Sequence, residues 1–147
     1  AGGDPVGRVT IRSASLRGVA VGGETVVRMI DEFPAFMIAA LCAEGQTTVR
    51  DARELRVKET DRIAVMAGEL RKMGAVILEA EDGFQLSGPQ PLHGATLDGH
   101  DDHRSAMSLA IAALVARGPS QIEGAGCVAD SFPGFAATLA RLGVDVH

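Results

Sequence analysis

At 147 residues the chain has the size of one ordinary domain and can bury a core. Hydrophobic residues make up 46% of it and aromatic residues only 3%, with no Trp or Tyr, so Ala, Val, Leu, Ile and Met must fill the interior. A net charge of −5 argues against nucleic acid or an anionic membrane as partner, and no apolar run approaches the roughly 18 residues of a membrane span.

The chain opens Ala1-Gly2-Gly3-Asp4-Pro5 without an initiator Met or a signal-peptide pattern. That start suggests a segment of a longer cytoplasmic protein. Val9 and Ile11 alternate with polar residues, as do Val19 and Val21, which predicts two strands around Ser13–Gly18. A helix is expected from Asp31, with Asp as N-cap and Pro34 in the first turn. It should end at Gly45 in the left-handed conformation, with a short strand after it. Ile63, Met66, Ala67, Leu70 and Met73 form one apolar stripe at helical spacing. Val76–Leu78 and Phe84–Leu86 flank Glu81-Asp82-Gly83 and predict a hairpin; Thr96–Leu97 is a short strand candidate. Asp101 or Asp102 caps a helix that is apolar nearly all round from Ala106 to Ala116 and is expected to be buried. Ser131 is read as the cap of the last helix, with Pro133 in its first turn. Cys42 and Cys127 are far apart among small apolar residues, and read as buried free thiols.

An internal repeat organises these elements. Ala39–Val49 is echoed by Ala112–Ile122 at an offset of 73 residues, and Glu69–Val76 by Thr138–Asp145 at an offset of 69. Each unit reads as helix, strand, loop, helix, strand, which predicts an α/β architecture with helices covering a sheet.

Two polar clusters open helices that are otherwise apolar: Leu55-Arg56-Val57-Lys58-Glu59-Thr60-Asp61-Arg62-Ile63 and Asp101-Asp102-His103-Arg104-Ser105-Ala106-Met107. Each sets Arg or Lys beside backbone N–H groups and a helix dipole that already favour an anion. Between Asp51 and Lys72, six Lys/Arg outnumber five Asp/Glu, so positive charge is local in an acidic chain and suits a small anion. The first cluster reads either as a solvated charged turn or as an anion clamp with a carboxylate, Glu59, poised for proton transfer. Arg104 suits a bidentate grip on carboxylate or phosphate, with His103 beside it. His100-Asp101-Asp102-His103 has a metal-like composition, but its spacing matches no zinc signature. No metal or cofactor is expected. At the repeat offset Asp31 corresponds to Arg104, so one face of the fold can collect Asp31, Lys58, Glu59, Arg62, His103 and Arg104.

These two clusters resemble the signatures of the EPSP synthase (3-phosphoshikimate 1-carboxyvinyltransferase) family. They appear in the family's order, after Met29-Ile30-Asp31-Glu32-Phe33-Pro34 and before Ser131-Phe132-Pro133-Gly134-Phe135. The resemblance runs from about Val9 to Val146. It implies the enolpyruvyl transferase fold, with repeated βαβαββ units whose helices pack with mixed sheets. Residues 1–147 would be a single partial domain, about two units of the family's second domain. An active-site cleft would lie against a missing N-terminal domain. The implied reaction moves the carboxyvinyl group of phosphoenolpyruvate to the 5-hydroxyl of shikimate 3-phosphate and releases phosphate. Motif matching makes Asp31 the group that binds and deprotonates the hydroxyl, and puts Lys58 on the shikimate side. Glu59 would carry the proton to and from the methylene carbon, and Arg62 and Arg104 would hold phosphoenolpyruvate beside His103. Two residues depart from the family pattern: Asp130 replaces a lysine of many members, and Glu54 replaces an asparagine. The related transferase acting on UDP-N-acetylglucosamine is the enzymatic alternative; a non-catalytic anion-binding fragment is the other.

Overall fold

The structure is a computed structural model and describes residues 6–58 and 60–147. Its first unit is a four-stranded mixed sheet with helices on one side. Strand β1 (Ala20–Val21) runs parallel to β2 (Gly45–Val49), and β2 pairs antiparallel with β4 (Gly83–Gly88). Strand β3 (Ile77–Ala80) closes the edge by pairing with β4, Ala80 opposite Gly83 and Ile77 opposite Leu86. The Glu81-Asp82 turn is therefore the expected hairpin. Thr47, Val49, Phe84, Leu86 and Ile77 point inward and are buried, and the residues between them are more exposed, as period-2 patterning requires.

Two short stretches precede the first long helix: β1 and then α1 (Glu24–Arg28), a single turn and a half that the sequence pattern did not suggest. Helix α2 (Phe33–Cys42) begins one residue later than expected, with Glu32 rather than Asp31 as N-cap and Pro34 in the first turn. Asp31 is thus outside the helix, and its carboxylate is available to other partners. Helix α3 (Arg62–Lys72) buries the stripe Ile63, Met66, Ala67 and Leu70, with Met73 continuing it just past the last turn.

The second unit has β5 (Thr96–Asp98) parallel to β6 (Gln121–Glu123), joined through α4 (His103–Val115). Helices α5 (Val128–Ser131) and α6 (Phe135–Arg141) follow. Helix α4 lies against α2 and α3, so one apolar core containing Phe33, Met37, Leu41, Met66, Leu70 and Leu109 runs through both units.

The repeat is visible atom by atom. The Gly18 N–H donates to the Glu44 carbonyl at 2.7 Å, and the Gly94 N–H to the Arg117 carbonyl at 2.9 Å. A Cβ on either glycine would collide with backbone, of Gln46 in one unit and of Pro119 in the other. Helices α3 and α6 end alike. Gly74 (φ 92°) and Gly143 (φ 93°) take the left-handed conformation, and the next N–H groups, of Ala75 and Val144, reach back to the Leu70 and Leu139 carbonyls at 3.0 and 3.1 Å. This is the six-to-one bond of a Schellman cap.

Several expectations are corrected. Residues 6–13 form no strand, and Val6, Val9 and Ile11 are exposed. Alternation marks a face, but a strand needs a neighbour to pair with, and no described strand pairs there. The strand expected at Val144 is also absent: residues 144–147 pair with no described strand. Helices α2 and α4 end before their glycines: Ala43 and Ala116 are extended caps, and Gly45 and Gly118 turn the chain into the following strand or loop with φ 89° and 90°. Ser131 ends α5 rather than capping the last helix, which starts at Phe135. Pro133 explains the break, because the residue before a proline avoids helical ψ and Phe132 is non-helical at φ −135°, ψ 77°. Helix α4 is only half buried, with Ile111, Leu114 and Val115 exposed on its outer side. Cys42 is exposed and Cys127 partly so, both as free thiols.

The continuity of the core gives a direct test. Leu70→Ala is expected to cost about 2–5 kcal/mol, read as a lower urea midpoint, because Leu70 lies where α3 meets the rest of the interior. An unchanged midpoint would mean that the two units do not share one core.

Candidate active site

The start of α3 is fixed from outside the helix. The Asp61 carboxylate caps it, accepting from the Ala64 N–H at 2.9 Å. Arg56 holds the other Asp61 oxygen at 2.8 Å, and also donates to the Ala80 and Glu81 carbonyls at the β3–β4 turn. With the cap clamped to the hairpin, Arg62 at the first helical position turns inward and is only 3% exposed.

The start of α4 is built around Asp102. Its Oδ1 accepts from the Arg104 N–H at 2.9 Å, which caps the helix. Its Oδ2 accepts from the Ser105 hydroxyl at 3.1 Å and from Arg62 Nε at 3.2 Å. One buried carboxylate therefore ties two helix starts together.

Asp31, just ahead of α2, joins the second cation. Its Oδ1 accepts from Arg62 Nη1 at 3.0 Å, its Oδ2 lies 3.0 Å from Arg104 Nη2, and its carbonyl accepts from Arg104 Nη1 at 3.3 Å. The result is a continuous row Arg104–Asp31–Arg62–Asp102 with two cations and two anions from three elements. The Arg62 hydrogen bond lowers the Asp31 pKa below its ordinary 3.8; burial opposes this, and the charges of Arg104, Arg62 and Lys58 add to the lowering. Asp31 is thus ionised at neutral pH, as a proton acceptor must be.

Of the residues singled out from sequence, Asp31, Arg62 and Arg104 meet directly. Lys58 is half-buried and paired with Glu54 Oε1 at 2.7 Å, an i,i+4 contact that gives the unusual Glu54 a partner. His103 opens α4 beside Arg104 and is partly exposed. Glu59 lies outside the described residues. Asp130 is exposed on α5. Sequence reasoning assigned Asp102 to capping alone and missed its second task as counter-charge to Arg62. No local signal could have found it, because Arg62 lies 40 positions earlier in the chain. Among the described residues no three His, Cys, Asp or Glu side chains are grouped to hold a metal ion. His100 is turned toward Glu69 and Asp102 toward Arg62. Two guanidinium groups spanned by an ionised carboxylate can grip a multiply charged anion while the carboxylate takes a proton from a neighbouring hydroxyl.

Comparison with solved structures gives the class first. The enolpyruvyl transferase NikO from Streptomyces tendae superposes with a TM-score of 0.75 at 24% identity, over 92% of this chain and 30% of that one. The chain therefore has an enolpyruvyl transferase fold. An EPSP synthase structure from Acinetobacter baumannii superposes with a TM-score of 0.83 at 45% identity, over 86% of this chain and 30% of that one. The family model described as EPSP synthase (3-phosphoshikimate 1-carboxyvinyltransferase) matches residues 6–139, and the chain belongs to that family. Curated proteins called 3-phosphoshikimate 1-carboxyvinyltransferase from Geotalea uraniireducens and Roseiflexus sp. are 51% and 52% identical, over 95% and 96% of this chain. The chain spans about a third of the length of the curated relatives it matches, 33% in both cases.

Two outcomes follow from the row of charges. Asp102→Ala removes a buried counter-charge of Arg62 and the cap of α4, and should lower stability by roughly 3–5 kcal/mol in urea unfolding. Asp31 binds its proton less readily folded than unfolded, so its stabilisation is complete above the unfolded value and fades as pH falls through the lower folded one. The gap in urea midpoint between wild type and Asp31→Asn should be steady above about pH 5 and close as pH falls below the ordinary carboxylate value. A gap that widens in acid would contradict the pairing.

Proposed function

We propose that this chain is one wall of the active site of an enzyme that transfers the carboxyvinyl group of phosphoenolpyruvate to the 5-hydroxyl of shikimate 3-phosphate. The observation that carries the reading is Asp31 suspended between Arg62 and Arg104. Phosphoenolpyruvate carries a carboxylate and a phosphate, and two convergent guanidinium groups match that pair. Once the ligand engages the arginines, the Asp31 carboxylate is released to the substrate hydroxyl. The hydroxyl oxygen bonds to C2 of phosphoenolpyruvate as its proton passes to Asp31, and C3 takes a proton from Glu59. Glu59 then takes a proton back from C3, which restores the C2–C3 double bond as the C2–O bond to phosphate breaks; phosphate leaves with that electron pair, and Asp31 gives up the hydroxyl proton to it. Lys58 lies on the shikimate side of Asp31 and His103 beside the phosphoenolpyruvate grip. The chemistry needs fixed charge and orientation and draws on no cofactor or metal.

Residues 1–147 act as a single partial domain in this reading. The opposing wall comes from the two-thirds of the relatives' length that lies outside this chain. The partners are small anionic molecules rather than nucleic acid or membrane, and the compartment is the cytoplasm. Among the described residues no helix is long and apolar enough to cross a membrane.

The test is phosphate release from phosphoenolpyruvate and shikimate 3-phosphate by the protein extended to the relatives' length. Turnover is expected there and not with the 147-residue chain alone. Arg104→Ala in the extended protein should lower kcat/KM by about 100-fold or more with little change in melting temperature. Turnover with UDP-N-acetylglucosamine in place of shikimate 3-phosphate would sink the reading.

A further inference from the structure

Glu69 is a buried carboxylate that the proposed chemistry does not use. Its side chain is only 6% exposed, and its hydrogen bonds and ion pairs go to Lys72, Asp98 and His100 rather than to the four members of the charged row. It lies seven residues after Arg62 on α3, two turns further along the same side of the helix. Both residues reach the segment that joins β5 to α4. Arg62 holds Asp102, and Glu69 Oε2 accepts from the Asp98 N–H at 2.9 Å while Oε1 is 3.2 Å from His100 Nε2. Lys72 contacts both Glu69 oxygens, at 2.8 and 2.7 Å. Burial pushes the Glu69 carboxyl up, but the Lys72, Asp98 and His100 contacts together outweigh it and leave the pKa lowered, so the acceptor is ionised.

The segment needs holding. His100 and Asp101 both sit at φ 53°, a left-handed conformation that side-chain-bearing residues rarely adopt, and here two adopt it in succession. The following residue is Asp102, whose carboxylate orients both Arg62 and the α4 start that carries Arg104. Within the segment, the His100 N–H donates to Asp98 Oδ1 at 2.7 Å and the Asp102 N–H to the Gly99 carbonyl at 3.1 Å. The Gly99 N–H reaches the Glu123 carbonyl at 2.8 Å. Glu69 therefore fixes the start of this turn to α3, as Arg62 fixes its end at Asp102.

We propose that Glu69 is a positioning residue: by bracing the Asp98–Asp102 turn against α3, it sets the spacing of the Arg62 and Arg104 guanidinium groups that grip the anionic substrate. The role rests on the functional reading above, and its test separates the two. In the extended protein, Glu69→Ala is expected to raise KM for phosphoenolpyruvate about tenfold with kcat changed much less, since a misplacement of about 1 Å suffices for such losses. It should also speed amide hydrogen exchange at Asp102 and Arg104 relative to wild type. Glu69→Gln keeps an oxygen for the Asp98 N–H but loses the charge facing Lys72, and should move both readouts the same way by less. Wild-type KM with faster exchange reduces Glu69 to a structural residue and overturns the proposal. A raised KM without faster exchange overturns it too, because the effect would not pass through the turn. If Glu69→Ala does not fold, wild-type values of both readouts in Glu69→Gln overturn it. Absence of turnover in the wild type refutes the functional reading, and exchange alone then shows whether Glu69 orders the turn.

Discussion

The Arg62–Asp102 contact governs the geometry of everything around it. Both side chains are almost fully withdrawn from water, at 3% and 2% exposure. Burying either charge alone would be severely unfavourable, so the folded state must bring them together with good geometry. Arg62 is the first residue of α3 and Asp102 the cap of α4, which makes the contact a constraint between two helix starts rather than an isolated bond. Once that spacing is set, Arg104 follows as the second residue of α4, and Asp31 can bridge the two cations only if α2 is also in place. Stability and site geometry are thus the same requirement here.

Patterning that is local and periodic was legible in the sequence. The α3 stripe from Ile63 to Met73, the β3–β4 hairpin and the glycine stops at Gly74 and Gly143 depend on neighbours a few residues away, and each formed as the spacing implied, whereas α2 and α4 end before Gly45 and Gly118. The grouping of Asp31, Arg62 and Arg104 was legible for a different reason: the 73-residue repeat placed two helix starts in equivalent positions. What the pattern could not supply was the identity of distant partners. Val9 and Ile11 alternate as a strand would, but pairing depends on an edge that the described residues do not offer. Helix α4 is apolar nearly all round from Ala106 on, so its composition carried little information about which half is covered.

Asp102 shows the same limit at the site. Before an apolar helix, Asp reads as a cap, and it is one, through the Arg104 N–H. Its second oxygen serves a residue 40 positions earlier, and no local pattern encodes that. Glu69 is similar. On composition it is one more charged residue on a helix, paired with Lys72 three residues on, and only the fold brings the strained His100-Asp101 turn against it. Ser131 failed for a local reason, since Pro133 decides where the helix can begin.

Asp31 also makes the site its own competitor. With no anion present its carboxylate satisfies both guanidinium groups, so the positive charge is internally neutralised and offers little to a passing chloride or other weak monovalent ion. A ligand gains only if it can engage both arginines at once and so replace both contacts that Asp31 gives up. In the proposed reaction the same exchange would switch the carboxylate from counter-ion to acceptor only when such a ligand is seated. Discrimination by charge number and timing of the base would then come from a single side chain.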